Sequence, residues 1–326
     1  HVRSRRQRQM CIRDRCNISV KILVISSNLI GDTILSTGVI NYFSNKYPET
    51  KFTFVIGPSA KSIFKNFKSV ETIITVSKKR YNMHWLDIIS NCYGKKWDII
   101  IDFRSSLLSY FLKHKQKFIF KKKSNLNHVQ QLSNYFKFDC SDLFIETNTE
   151  EEEMVTKHLS DNFKYFVIFP GGNWKPKIWS IKNYNSLLIK ILSQNKNIKF
   201  ILVGSKSEEE NYLNEITKNI DSNKIINLFG ASLTQTAAYM KKSKLFIGND
   251  SGLSHMASAT KLKSIVLFGP TNDVIYGPFM QDSQVIRTNE SYDYFKSINI
   301  DKTKSYMDSI SVEKIYFTLQ KNNYCE

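Results

Sequence analysis

Three short polar stretches, each following an apolar run, hold the residues of this chain best suited to chemistry. In SSNLIGDTILST (26–37), Gly31 permits a turn and Asp32 stands at the expected start of a helix. A carboxylate there is well placed as a general base, and is equally suited to cap the helix. In FPGGNWKPKIWS (169–180), Gly171 and Gly172 let the backbone approach a ligand closely, and Lys175 and Lys177 follow in the loop. A lysine over such a loop either neutralises phosphate as a point charge or is simply solvated. In LFIGNDSGLSHMASA (245–259), an apolar run ends in Asn249, Asp250, Ser251 and Gly252, and a helix carrying His255 follows. Free N–H groups and the dipole at such a helix start favour a diphosphate. The plainer alternatives are Asp250 or Ser251 as the helix cap and His255 as a packed histidine. FGPTND (268–273) ends another apolar run in turn residues and is expected to close the same pocket. His1, His84, His114, His128 and His158 have no comparable setting.

The absences also direct the reading. Neither GxGxxG nor GxxxxGK[ST] occurs, nor does a DxD pair that would hold a metal–diphosphate. Cys11, Cys16, Cys92, Cys140 and Cys325 are scattered, with no CxxC and no Cys/His cluster at zinc spacing. Chemistry without metal or cofactor is expected. So is a cytoplasmic chain with reduced thiols. The longest uncharged apolar stretches are far shorter than the roughly twenty residues of a membrane-spanning helix.

Strand and helix patterns alternate twice along the chain. Strands are expected at 21–26, 51–56, 72–76, 98–102 and 117–120, then at 165–169, 200–203, 224–227, 245–247 and 264–268. Helices are expected near 33–46, 181–192, 206–218, 233–242 and 253–260. Such alternation argues for parallel sheets built from βαβ units. The acidic stretch beginning at Thr149 has helical spacing and is expected to bridge the two series. The domains expected are 17–150 and 151–326, with the amphipathic helix 312–322 packing back on the first.

The net charge of +18 misleads at first. Residues 1–16 hold six Arg against one Asp, whereas the rest holds three Arg against 38 Lys. The opening segment is therefore read as a disordered or foreign tail and set apart from the fold. Of the remainder, residues 17–150 carry 19 basic and 10 acidic side chains, net +9; residues 151–326 carry 22 and 18, net +4. The densest run, FLKHKQKFIFKKK (111–123), reads either as a solvated lysine-rich edge strand or as a surface facing anionic lipid or an anionic acceptor. No aromatic stacking motif accompanies the lysines, so nucleic acid is not an expected partner.

Taken in order, the blocks resemble glycosyltransferase family 9, the lipopolysaccharide heptosyltransferases. The family runs S-S-L-G-D, a P-G-A loop with K-x-W-P, G-x-x-E, D-T-G-x-x-H-x-A-A and F-G-P-T. Here stand SSNLIGD, PGG with KIWS, VGSKSE (203–208), NDSGLSHMASA and FGPTND, over roughly 21–290. Gly172 stands where Ser or Thr is frequent, Ser180 replaces the proline, and Ser251 the threonine. The resemblance implies an α/β protein of GT-B type, two Rossmann-like domains facing across a cleft. It implies a metal-independent inverting transferase that takes a nucleotide-diphospho-heptose such as ADP-heptose. Asp32 would be the base and Lys177 the donor-phosphate contact, with Gly171 and Gly172 in the donor loop. Glu208 would hold the donor ribose, and Asp250, Ser251, Gly252 and His255 would line the sugar and diphosphate site. The acceptor implied is an anionic lipid-linked glycan, the lipopolysaccharide inner core, met by the first domain at the inner membrane surface. The competing readings are a GT-B enzyme that uses another nucleotide sugar for a surface glycan, and a nucleotide-sugar epimerase.

Overall fold

The computed structural model describes residues 19–77, 84–122 and 126–325. The expectation for residues 1–16 lies outside them. Strands β1 (Lys21–Ile25), β2 (Lys51–Ile56), β3 (Val70–Thr75), β4 (Lys96–Asp102) and β5 (Lys113–Ile119) form a parallel sheet in the order β3-β2-β1-β4-β5. Strands β6 (Lys164–Phe169), β7 (Ile198–Gly204), β8 (Ile225–Phe229), β9 (Leu245–Asn249), β10 (Ser264–Phe268) and β11 (Gln284–Arg287) form a second, in the order β11-β10-β9-β6-β7-β8. Central strands such as β9 and β10 are buried along their whole length, as parallel strands covered on both faces must be. The two sheets are Rossmann-like units of one α/β, GT-B-like architecture.

The helices are α1 (Ile30–Leu35), α2 (Thr37–Lys46), α3 (His84–Cys92), α4 (His128–Phe136), α5 (Thr149–His158) and α6 (Ile181–Gln194). They continue with α7 (Lys206–Ile216), α8 (Leu233–Lys241), α9 (Gly252–Ala259), α10 (Asp273–Tyr276), α11 (Tyr292–Ser297) and α12 (Val312–Lys321). The single helix expected over 33–46 is two, broken at Ser36, whose hydroxyl donates to the Thr33 carbonyl at 2.7 Å. Strand β5 starts four residues earlier than expected. It is an edge strand whose first residues are exposed, so its apolar half alone shows in the sequence. Short edge strand β11 was not expected at all.

Helix α5 sits between the units as anticipated. Its buried Glu151 accepts from Asn66 Nδ2 at 3.0 Å and from Thr234 Oγ1 at 2.5 Å, one partner from each side. The final helix corrects the expectation that it packs back on the first unit. α12 lies on α6, and its Ile315 and Leu319, four residues apart and fully buried, join the core that Leu187, Leu188 and Ile191 share with the second sheet. That apolar face of α6 needs a cover, and α12 is the segment that supplies it.

The strand orders locate the site. In the first sheet the order reverses between β1 and β4, and in the second between β6 and β9. Ligands of open α/β sheets bind at the carboxyl ends of strands at such switch points. The three polar stretches follow β1, β6 and β9.

Candidate active site

A cleft of about 920 Å³ lies between these strand ends. Asp32, Gly172, Lys177, Glu208, Asp250, Ser251, Gly252 and His255 all line it. Gly171 does not, and it serves the site from behind. A Cβ on Gly171 would fall 1.9 Å from Glu208 Oε1, so glycine is what lets that carboxylate approach the loop. Thr271 and Tyr276, from the FGPTND turn and the short α10, close one end of the cleft. Arg287 fastens that turn by donating to the Gly269 and Thr271 carbonyls and pairing with Asp273 at 3.2 Å.

On the second unit the loops are tied together by side chains. Glu208 Oε1 accepts from Gly172 N–H at 2.7 Å, while Oε2 accepts from the N–H and hydroxyl of Ser205. The same Ser205–Glu208 pair forms the capping box of α7. Asn249, fully buried at the end of β9, uses its whole amide. Its Oδ1 accepts from Trp179 N–H and Tyr184 OH, and its Nδ2 donates to the Pro170 and Gly171 carbonyls, all at 2.9–3.1 Å. The loop after β6 is thereby fixed to the loop after β9.

Ser251 is the N-cap of α9, its hydroxyl accepting from Leu253 N–H at 3.2 Å in a capping box with Ser254. The capping alternative thus holds for Ser251 and not for Asp250. Asp250 instead pairs through Oδ2 with Lys177 Nζ at 3.5 Å, both side chains nearly buried. The ammonium is held beside the start of α9, where the first N–H groups have no intrahelical carbonyl. An anion there meets a cation and a helix N-terminus together. His255 is buried in the next turn. Burial above all holds its imidazole below the usual histidine range, with Lys177 and Lys122 acting in the same sense against Asp250 and Asp32.

On the first unit the turn is built more sparingly. The N-cap of α1 is Leu29, which has no side-chain cap, and Asp32 lies inside the first turn. The alternative that Asp32 is the N-cap is therefore corrected: the chain enters the helix three residues earlier. Its carboxylate accepts from Ser27 Oγ at 3.3 Å. Ser27 Oγ in turn accepts from Leu29 N–H at 3.1 Å, so this serine both shapes the turn and orients the carboxylate.

The two glycine turns meet. A Cβ on Gly31 would stand 2.8 Å from His255 Cδ2, and one on Gly252 would stand 2.8 Å from Ile30 Cγ2. Glycine at both positions is what lets α1 and α9 touch across the cleft and sets Asp32 opposite the Lys177–Asp250 pair.

Asn249, Ser27 and Tyr184 lie outside the residues anticipated. Asn249 and Ser27 stood within quoted blocks, and the signal for Asn249 was a polar amide ending a wholly apolar strand. His128 was passed over. It opens α4, buried, with Nδ1 lacking a partner among the described residues. Burial first, then the charges of Lys122 and His255, push it down to about 3. Among the described residues no group of three or more His, Cys, Asp or Glu is arranged to hold a metal ion.

Residues 131–305 match the model of glycosyltransferase family 9 (heptosyltransferase). The chain is similar to lipooligosaccharide heptosyltransferase 2 of Campylobacter jejuni, 23% identical over 279 residues, 81% of this chain and 85% of that protein. Its fold is similar to that of a glycosyl transferase family 9 protein from Veillonella parvula, with a TM-score of 0.73, 21% identity and coverage of 93% and 97%. It is also similar to that of the ADP-heptose heptosyltransferase II of Escherichia coli, with a TM-score of 0.70, 17% identity and coverage of 93% and 98%. The family match spans more than half of the chain, and the chain belongs to glycosyltransferase family 9.

Proposed function

We propose that this family 9 glycosyltransferase moves a heptose from ADP-heptose onto the inner core of lipopolysaccharide, with inversion at the anomeric carbon. The observation that carries the reading is the meeting of Asp32 with the Lys177–Asp250 pair and the start of α9 in one cleft. Residues 17–150 present the acceptor and residues 151–326 hold the donor. The acceptor hydroxyl oxygen attacks the anomeric carbon while the bond from that carbon to the diphosphate oxygen breaks. The hydroxyl proton passes to the Asp32 carboxylate, and the electron pair leaves with the nucleoside diphosphate. Lys177 and the N–H groups opening α9 balance the charge that develops there, the role a metal takes elsewhere. Glu208 Oε1 accepts a single bond from the chain, leaving one lone pair to accept from a ribose hydroxyl. Burial disfavours the charged form of His255, which leaves its ring free to meet the sugar as a neutral hydrogen-bonding group.

The acceptor's lipid places the enzyme at the inner face of the membrane. No helix among the described residues is long and apolar enough to cross it; the contact proposed is peripheral. The test is incubation of the full chain with ADP-heptose and a lipid A–core acceptor, with the product anomer assigned by NMR. Transfer with inversion is expected. Release of a changed sugar nucleotide without acceptor would mark an epimerase instead, and turnover with a different donor alone would move the donor assignment.

A further inference from the structure

Between β4 and β5 the chain carries apolar side chains that the core does not use. The segment forms a short 3₁₀ helix, Leu107–Tyr110, and its side chains divide sharply. Leu108 and Leu112 are buried among Trp97, Ile100 and Ile88. Leu107, Tyr110 and Phe111 are 75%, 60% and 70% exposed. Residues three apart in a 3₁₀ helix share a face, so Leu107 and Tyr110 project together. Leaving three large apolar side chains in water within five residues calls for a partner.

Charge identifies that partner. Strand β5 begins KHKQKFI, and its lysines recur at every second position, hence on one side of the sheet. That side is the one on which the 3₁₀ helix lies, since Lys117 Nζ is 3.7 Å from the centre of the Tyr110 ring. Lys115 pairs with Asp98 at 2.7 Å, whereas Lys113 and Lys117 have no carboxylate within ion-pair distance among the described residues. Aromatic and aliphatic side chains ringed by lysines fit the interface of an anionic bilayer, where rings sit at headgroup level and ammonium groups meet phosphate. Lysines along an exposed edge also oppose pairing with a second copy.

The patch is continuous with the acceptor side of the cleft. Asp102, buried at the end of β4, accepts from Arg104 N–H and from the N–H and hydroxyl of Ser106, fixing the loop that precedes Leu107. Arg104 in that loop donates to Asn28 Oδ1 at 3.5 Å, and Asn28 lines the cleft beside Asp32.

We propose that Leu107, Tyr110 and Phe111, with Lys113 and Lys117 beside them, are the surface by which this enzyme lies on an anionic lipid bilayer. The choice of a membrane partner rests on the lipid-linked acceptor proposed above, but its test needs neither donor nor acceptor. The full chain is sedimented with vesicles of phosphatidylglycerol and phosphatidylcholine in equal parts, and with phosphatidylcholine alone. Binding is expected to the first, weakening with salt. A Leu107→Ser, Phe111→Ser variant should keep the wild-type melting temperature and lose at least about tenfold in partition. Lys113→Gln, Lys117→Gln should lose roughly fivefold per lysine and flatten the salt dependence. A Phe111→Trp reporter should shift its emission to the blue on anionic vesicles. Equal partition of wild type and the double serine variant would overturn the assignment. So would self-association of the wild type that this variant abolishes, without vesicle binding. If heptosyl transfer fails while patch-dependent binding persists, only the donor and acceptor reading falls. If transfer proceeds and the wild type ignores anionic vesicles, only this surface falls.

Discussion

The two glycine turns that meet across the cleft are built by opposite means. The start of α9 is capped by Ser251 within a capping box, and the strand before it ends in Asn249, whose amide spends every donor and acceptor on neighbouring loops. The start of α1 has an apolar residue, Leu29, at its N-cap and no side-chain cap, and Asp32 is held by Ser27 at 3.3 Å. Nearby, buried His128 leaves Nδ1 without a partner among the described residues. The second unit therefore presents a fixed cradle, suited to a diphosphate whose charge does not move during binding. The first presents a carboxylate with spare acceptor capacity, which suits the proton-accepting role proposed for it.

The comparison can be broken most directly at Asp32. Asp32→Asn keeps the size of the side chain and removes the proposed base, so turnover should fall by about 10²–10⁴-fold. Stability should fall by less than about 1 kcal/mol, the value of a carboxylate near a helix start. Retention of more than roughly a tenth of wild-type turnover would place the base elsewhere. On the opposite side, Asn249→Ala leaves the Trp179 N–H and the Pro170 and Gly171 carbonyls without this partner in the core, while Tyr184 OH keeps the Phe169 carbonyl. At roughly 1–3 kcal/mol for each buried group left unpaired, a loss of about 4 kcal/mol is expected, with a raised KM for the donor nucleotide. A drop of under about 1 kcal/mol in denaturant titrations would show that the cradle does not depend on this amide.

His128 sharpens the contrast through pH. Its folded value, about 3, lies below the ordinary 6.5, so the unfolded chain binds a proton that the folded chain refuses. This contribution to stability is complete above pH 6.5 and declines by about 1.4 kcal/mol per pH unit as pH falls through the window down to 3. His255, also lowered, acts in the same direction. His128→Leu should therefore show a shallower fall in melting temperature between neutral and mildly acidic pH than the wild type. Parallel curves would mean that His128 is not desolvated. A smaller effect separates the helix starts themselves. Ser251→Ala should cost about 1 kcal/mol, whereas Leu29→Ser should gain up to a similar amount by supplying the cap that α1 lacks. Equal and opposite signs are the outcome to look for. The smallest expected effect is none at all. EDTA should leave turnover unchanged, since Lys177 and the α9 N-terminus are proposed to carry the diphosphate's charge; inhibition reversed by magnesium would refute that.

What the amino-acid sequence determined by itself is local. Short apolar runs rich in β-branched residues, such as KILVI and SIVLF, read as buried strands, and serines at 205, 232 and 251 mark where the following helices start. These features depend on neighbours a few residues away, so periodicity and capping chemistry reveal them. The order of the three polar stretches after β1, β6 and β9 was equally legible. Strand β11 and the first half of β5 were not, because edge strands need no apolar alternation. Tertiary structure alone decided which distant groups became neighbours. It set Asp32 in the first turn and not at the cap, because the chain enters α1 at Leu29. It turned Glu208 back onto the Gly172 N–H, put α12 on α6, and buried His128 near Lys122 and His255. It also divided Leu107–Tyr110 between core and solvent, which spacing does not show in so short a segment. The physical reason is the same in each case: hydrophobic periodicity fixes the face an element buries, while strand order and the packing of two sheets fix what that face meets.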